Sequence, residues 1–204
     1  MVLAIRDVHE HDLDAVLALN NTAEGGISPM DTTQLHQFHQ TADYFRVAEV
    51  DGQLAGFLIA LREHADCAGA HFQWFRQRYE RFVYIDRIVV ANAYRRHGLG
   101  RVFYSDVQSY AEPRVPLLAC AVDLEPRDDV AVLFHGTYGF SELGQQITPG
   151  SQRHAGLLGK TLDSYTFVRD QYGSEDQLPA VTWLAGRLPS ASVPMRMTAG
   201  GRHA

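Results

Sequence analysis

Asp51-Gly52 narrows the fold more than any other feature of the chain. It separates two β-prone runs, Tyr44 to Val50 and Leu54 to Leu61. Asp-Gly tolerates the backbone angles of a tight hairpin, so these runs predict adjacent antiparallel strands. Such a pair is foreign to the all-parallel core of a dinucleotide-binding sheet.

The flanking segments extend this reading. Val2 to Arg6 predicts a short first strand. Asp12 to Asn20 predicts a helix, with Leu13, Val16, Leu17 and Leu19 at approximate helical spacing. Residues 22–29 are loop by composition. Asp31 and Gln34 have the spacing of a capping box, which predicts a second helix with Leu35, Phe38 and His39 on its inner face. Residues 64–80 are polar and aromatic-rich, with Trp74, Phe75 and Tyr79, and fit a long loop or short helix at a domain edge.

Phe82 to Val90 is a strong strand by its β-branched and aromatic content. Leu99, Phe103, Val107 and Tyr110 then form one apolar stripe on a helix from about Gly98 to Ala111. Leu117 to Val122 is a buried strand, and Asp128 or Asp129 caps a helix running to about Tyr138 and closed by Gly139. Phe140 to Ile147 and Thr161 to Arg169 complete the pattern as two strands joined by a Gly-rich connection. The order is α+β, mixed in strand direction. Residues 1–172 read as one domain and 173–204 as a C-terminal extension, partly ordered around Val181 to Leu188.

Bulk properties exclude several functions. A net charge of −6 argues against a generally basic nucleic-acid surface. No apolar run approaches the roughly 18 residues of a membrane span, and the N-terminus lacks the features of a secretory signal, so a cytoplasmic location is expected. Cys67 and Cys120 form no disulfide framework, and the apolar run around Cys120 reads as core. The ten histidines are scattered without zinc-ligand spacing, so no metal is expected.

The chemistry lies in Arg95-Arg96-His97-Gly98-Leu99-Gly100-Arg101, between a strand and a helix. The first N–H groups of a helix lack internal partners and carry partial positive charge, so they suit a diphosphate. Gly98 and Gly100 allow close backbone approach, and Arg95, Arg96 and Arg101 add counter-charge. A dinucleotide turn fits poorly, because Phe103 stands where its third glycine belongs, and a nucleotide-binding loop would need a lysine. Glycines that merely shape a turn are the structural alternative.

This segment resembles the cofactor-binding motif of the GNAT superfamily of N-acetyltransferases, with Arg95, Gly98 and Gly100 in register. The resemblance extends over about residues 2–170 through element order, through the strand Tyr84 to Val90, and through Ala131 to Phe140. It implies a GNAT-like, mixed but mostly antiparallel central sheet flanked by helices and splayed between the fourth and fifth strands. It implies acetyl-CoA or another acyl-CoA as cofactor. Its pyrophosphate would meet Arg95, Arg96, His97, Gly98, Leu99, Gly100 and Arg101, with Asp128 close by, and its pantetheine would meet main-chain groups of Ile88, Val89 and Val90.

The implied reaction is direct attack of a primary amine on a thioester. A lysine-like amine has a pKa of about 10.4 and a thiol about 8.5, so a base near neutrality and a modest acid suffice. The family's usual acid, a tyrosine four residues before the Gly of Gly-Phe, is here replaced by His135. His135 and Tyr138 are the two candidate acids, and both also fit core packing. Asp86, where relatives often carry glutamate, is the candidate base, with Glu125 second. Asp86 beside Arg87 also fits a paired structural carboxylate. The acceptor is expected to be a small-molecule or peptide amine, with no nucleic acid or membrane partner and a homodimer open. A non-catalytic acyl-CoA-binding or regulatory module is the alternative function.

Overall fold

In the computed structural model, residues 2–23, 27–147, 153–174 and 177–179 are described. The strands are β1 (Leu3–Asp7), β2 (Tyr44–Val50), β3 (Gln53–Arg62), β4 (Val83–Val90), β5 (Leu117–Glu125), β6 (Ser141–Ile147) and β7 (His154–Thr161). They make one sheet in the order β1-β2-β3-β4-β5-β7-β6. The β2–β3 hairpin turns at Asp51 and Gly52, whose φ angles of 49° and 82° are both positive, as a two-residue turn of this hand demands. All neighbouring pairs are antiparallel except β4 and β5. A parallel pair needs a crossover, which α4 (Leu99–Ala111) supplies.

Alternation along the strands sends side chains into cores on both faces. Val83 and Ile85 join Leu99, Phe103, Tyr104 and Val107 of α4 in one core, with side chains of α5 (Asp129–Thr137) packed against it. On the opposite face, α1 (Leu13–Asn21) and α2 (Thr32–Thr41) cover β2 and β3, while α3 (Ala70–Arg76) covers Tyr84, Ala119 and Leu157. The predicted capping box starts α2: Asp31 Oδ1 accepts from the Gln34 amide at 2.8 Å, and Gln34 Oε1 accepts from the Asp31 amide at 3.1 Å. The 64–80 excursion resolves into α3, with Phe72 and Phe75 buried.

Buried Arg46 of β2 joins the start of the sheet to α4. Its Nε donates to Asp7 at 2.9 Å and its Nη1 to Asp106 of α4 at 2.7 Å, where the Tyr44 hydroxyl also donates at 2.7 Å. The helix that begins at the glycine turn is thereby pinned to β2 at Asp106.

One expectation is corrected. Thr161 to Arg169 is not a strand: the last strand is β7, and Ser164–Tyr172 forms helix α6. Tyr165, Thr166, Phe167 and Val168 are β-prone, yet Tyr165 is buried and Val168 half-buried three positions on, while Phe167 is exposed, which is helical spacing. The glycines read as a connection belong to β7. A Cβ at Gly159 would collide with Leu143 Cδ1 and meet Leu117 Cδ1 at 3.0 Å, because both neighbouring strands lay leucines across it. The C-terminal extension foreseen over 173–204 lies outside the described residues from residue 180 onward.

Candidate active site

β4 and β5 pair only at Val83–Leu118, Tyr84–Ala119 and Ile85–Cys120. Beyond Ile85 the ladder ends, although β4 runs on to Val90 and β5 to Glu125. Asp86 to Val90 therefore borders a gap of about 16 Å at the usual rise per residue. Ala91 N donates to Ala55 O, so peptide groups alternate from that point. Those of Val89 serve β3, those of Ile88 and the amide of Val90 face the gap, and the Val90 carbonyl is taken by Arg95. The three residues expected to offer main-chain groups are thus not equivalent.

The gap leads to the glycine turn. Asn92 to Tyr94 make one 3₁₀ turn, Arg96 takes a left-handed φ of 66°, and Gly98 caps α4 with φ 86°. No side chain caps the helix, and its first internal bond is Val102 N to Gly98 O at 3.1 Å. The amides of Leu99, Gly100 and Arg101 are left without helical partners. A Cβ at Gly98 would meet nothing within 4 Å, and one at Gly100 only the Phe134 ring at 3.7 Å. Open space therefore stands before Gly98, while Gly100 backs onto the Phe134 ring. Arg95 Nε donates to Val90 O at 3.2 Å and fastens the turn to the strand end, while His97 Nδ1 lies 2.8 Å from Arg95 O. Arg95, Arg96, His97 and Arg101 are exposed around the helix start. Asp128 is committed elsewhere: its Oδ1 caps α5 by accepting from Ala131 N at 2.9 Å.

Asp86 sits where the β3 register jumps from Ile59–Arg87 to Ala60–Ile85. It is the extra residue of a bulge, which swings it beside Arg87 instead of onto the opposite face. Arg87 Nε donates to Asp86 Oδ2 at 2.8 Å. Arg87 Nη1 donates to Asn20 Oδ1 at 3.0 Å, and its guanidinium lies 5.4 Å from the centre of the Phe38 ring. The end of α1, the inner face of α2 and the bulge thus converge on one side chain. Asp123 of β5 shares the face of Leu117, Ala119 and Ala121 by alternation, and Arg153 Nη1 approaches it at 3.8 Å. Sequence reasoning missed Asp123, because only the end of the β4–β5 ladder makes it a wall of the gap. Glu125 is exposed at the tip of β5, with His154 Nδ1 at 3.9 Å.

The two candidate acids lie on the α4 face. His135 is buried, its Nδ1 donating to Ala131 O at 2.7 Å and its Nε2 accepting from the Tyr104 hydroxyl at 2.5 Å. Burial pushes its pKa below the ordinary histidine value, so the neutral ring is favoured. Burial also raises the Tyr104 hydroxyl well above the usual tyrosine range. Tyr138 is half-buried, with its hydroxyl 2.9 Å from Ser105 Oγ and the Lys160 ammonium 4.5 Å from its ring centre. The structure does not bring Asp86, Glu125, His135 and Tyr138 into one cluster. Asp86 lines the face of α1 to α3, Glu125 the strand tip, and the two rings the opposite core. Tyr104, the partner of His135, was read from sequence only as a helix residue.

Comparison with known proteins gives the same architecture. The pattern of the acetyltransferase (GNAT) family matches residues 11–140. No curated protein matches the chain. Among solved structures, Ard1 from Thermoplasma volcanium superposes with a TM-score of 0.64 at 17% identity, over 79% of this chain and 99% of that one. A spermidine N-acetyltransferase chimera from Vibrio cholerae and hSSAT gives 0.61 at 16% identity, over 80% and 98%. The protein yncA from Salmonella typhimurium, determined with its cofactor acetyl-CoA, gives 0.59 at 16% identity, over 80% and 95%. These likenesses concern the fold, and the family match spans well over half of the 204 residues. With its α+β sheet of mixed direction and its glycine turn ahead of α4, the chain belongs to the GNAT acetyltransferase family.

Proposed function

We propose that the protein transfers an acyl group, acetyl foremost, from acyl-CoA to a primary amine by direct attack. The observation that carries this reading is the pairing of an uncapped start of α4 with a β4 edge that has no strand partner beyond Ile85. Amides at the helix start suit a pyrophosphate, and the peptide groups of Ile88 and the amide of Val90 suit an amide-bearing arm lying along the gap. One structural neighbour was determined with acetyl-CoA and another is named as a spermidine N-acetyltransferase, which supports the donor and the type of acceptor.

In the reaction the amine nitrogen bonds to the thioester carbon, the C–S bond breaks, and sulfur leaves with the bonding pair. Asp86, directly or through water, takes the proton that the nitrogen sheds. The thiolate is protonated in turn, with Tyr138 the better-exposed candidate and His135 held neutral by burial. Residues 1–172 carry this activity as one domain. A homodimer would use the β6 edge, where Leu143 and Ile147 are exposed, and the mass in solution tests that arrangement.

A non-catalytic acyl-CoA-binding module is the second reading, favoured by one observation: both ring nitrogens of His135 are engaged in the core. Titration calorimetry with acetyl-CoA and CoA, paired with thiol-release assays on an amine panel, separates the two. The expected result is saturable binding that Gly100→Arg abolishes, and thiol release that Asp86→Asn slows about 10²-fold or more while CoA still binds. Binding without release by any amine favours the module. Undiminished binding by a folded Gly100→Arg variant removes the pyrophosphate assignment.

A further inference from the structure

We propose that the acceptor is a compact amino carboxylate, a free α-amino acid or close analogue, recognised by Asp86 and Arg87 as one unit. The inference rests on the acyltransferase reading and names the substrate class of that same site.

In a regular strand, consecutive side chains point to opposite faces. The bulge at Asp86 breaks that rule and sets a carboxylate and a guanidinium side by side, 2.8 Å apart at their closest atoms. Both side chains are held mostly out of solvent, at 17% and 15% exposure, so their geometry is set by packing. Arg87 is fixed from three directions, by Asp86 at Nε, by Asn20 and Ser28 at Nη1, and by the Phe38 ring. Among the described residues nothing accepts from its Nη2, and nothing donates to Asp86 Oδ1.

One donor and one acceptor are therefore left over, on adjacent residues, beside the gap where the thioester would lie. The ligand that matches them carries an ammonium and a carboxylate a few ångströms apart. Asp86 Oδ1 would hold the amine before attack, and Arg87 Nη2 would hold the carboxylate. A planar guanidinium suits a carboxylate better than an ammonium point charge would.

Charge points the same way. The Asp86–Arg87 pair is neutral as a unit, so an approaching polycation meets Arg87 as well as Asp86. Across the gap, Asp123 and Arg153 repeat the pairing of acid with arginine at 3.8 Å. Neither arm presents a bare acidic wall, despite the chain's net charge of −6. A zwitterion is compatible with both arms, whereas a peptide N-terminus would leave Arg87 Nη2 without an anion.

The test is calorimetric titration of the CoA-saturated protein with each proteinogenic amino acid, its amide and its decarboxylated amine. At least one amino acid is expected to bind about ten- to hundredfold more tightly than both of its carboxylate-free analogues, the worth of one charge-assisted hydrogen bond. Arg87→Gln should erase that preference, and Arg87→Lys, which keeps the positive charge, should restore part of it. The comparison within the unaltered protein depends on neither variant folding. Equal or tighter binding of the amides or amines overturns the proposal, and so does a CoA-saturated protein that takes no amino acid. Failure to bind CoA at all removes the parent reading instead, and this proposal with it.

Discussion

His135 shows how one position can match a family pattern and differ in chemistry. Its spacing from Gly139 puts it where a tyrosine is usual, but its ring is a buried link between Tyr104 and the Ala131 carbonyl. Because burial lowers its folded pKa, the unfolded chain binds the proton more readily below about pH 6.5. Stability from this group is fully present above that pH and is lost as pH falls toward the folded value. His135→Ala should cost about 2–3 kcal/mol at pH 7.5, by leaving the Tyr104 hydroxyl unpaired and a void behind. Denaturant unfolding across pH should show the cost shrinking below pH 6, since the variant has no buried imidazole to protonate. A cost independent of pH would mean that the ring is not held neutral. The turn that carries Arg95, Gly98 and Gly100 ahead of α4 was legible in the sequence because its pattern is local. Asp123 and the free faces of Asp86 and Arg87 were not, since they depend on a bulge and a missing ladder that no short motif records.

At the scale of elements, the glycines of the last two strands explain the least accurate part of the sequence reading. Glycine weakens an isolated strand, so His154 to Thr161 reads as a connection until its neighbours are known. The same logic governs β6. A Cβ at Gly144 would lie 2.6 Å from Trp74 Cζ2, so α3 rests its indole directly on the strand backbone. The His71 ring adds a contact to Gln146 Oε1 at 2.9 Å. Gly144→Ala should therefore cost about 1–3 kcal/mol in denaturant unfolding, as overpacking does. Combined with Trp74→Leu, it should cost less than the two changes summed, because the clash partner is gone. Strict additivity would show that the indole does not press on β6. The hairpin, the α2 capping box and the α4 stripe were legible because each is decided within about a dozen residues. The α3–β6 contact joins segments some seventy residues apart, as His71 and Gln146 illustrate.

For the whole molecule, the sheet is continuous in order yet thinly joined at its middle. The strands β1 to β4 and the strands β5, β7 and β6 meet along three ladder positions. The outline of this arrangement was legible: the antiparallel hairpin followed from Asp51-Gly52, the helix from Gly98 to Ala111 from its apolar stripe, and the α+β order from the sequence of elements. A splay between the fourth and fifth strands was expected only through the family resemblance; that their ladder is limited to three positions is a property of the folded chain. An unfinished ladder has a thermodynamic consequence. The sheet has rungs missing at its centre, where the peptide groups of Ile88 and the amide of Val90 have no strand partner, while the Val90 carbonyl is held by Arg95. A ligand that supplies those rungs works as a removable strand, and its binding energy becomes folding energy, about 2.7 kcal/mol at a hundred times its dissociation constant. Hydrogen exchange should report this directly, with the Ile88 and Val90 amides fast in the empty protein and slowed by CoA, and with the melting temperature rising alongside. The two halves of the sheet would then be bridged as much by the cofactor as by the chain itself.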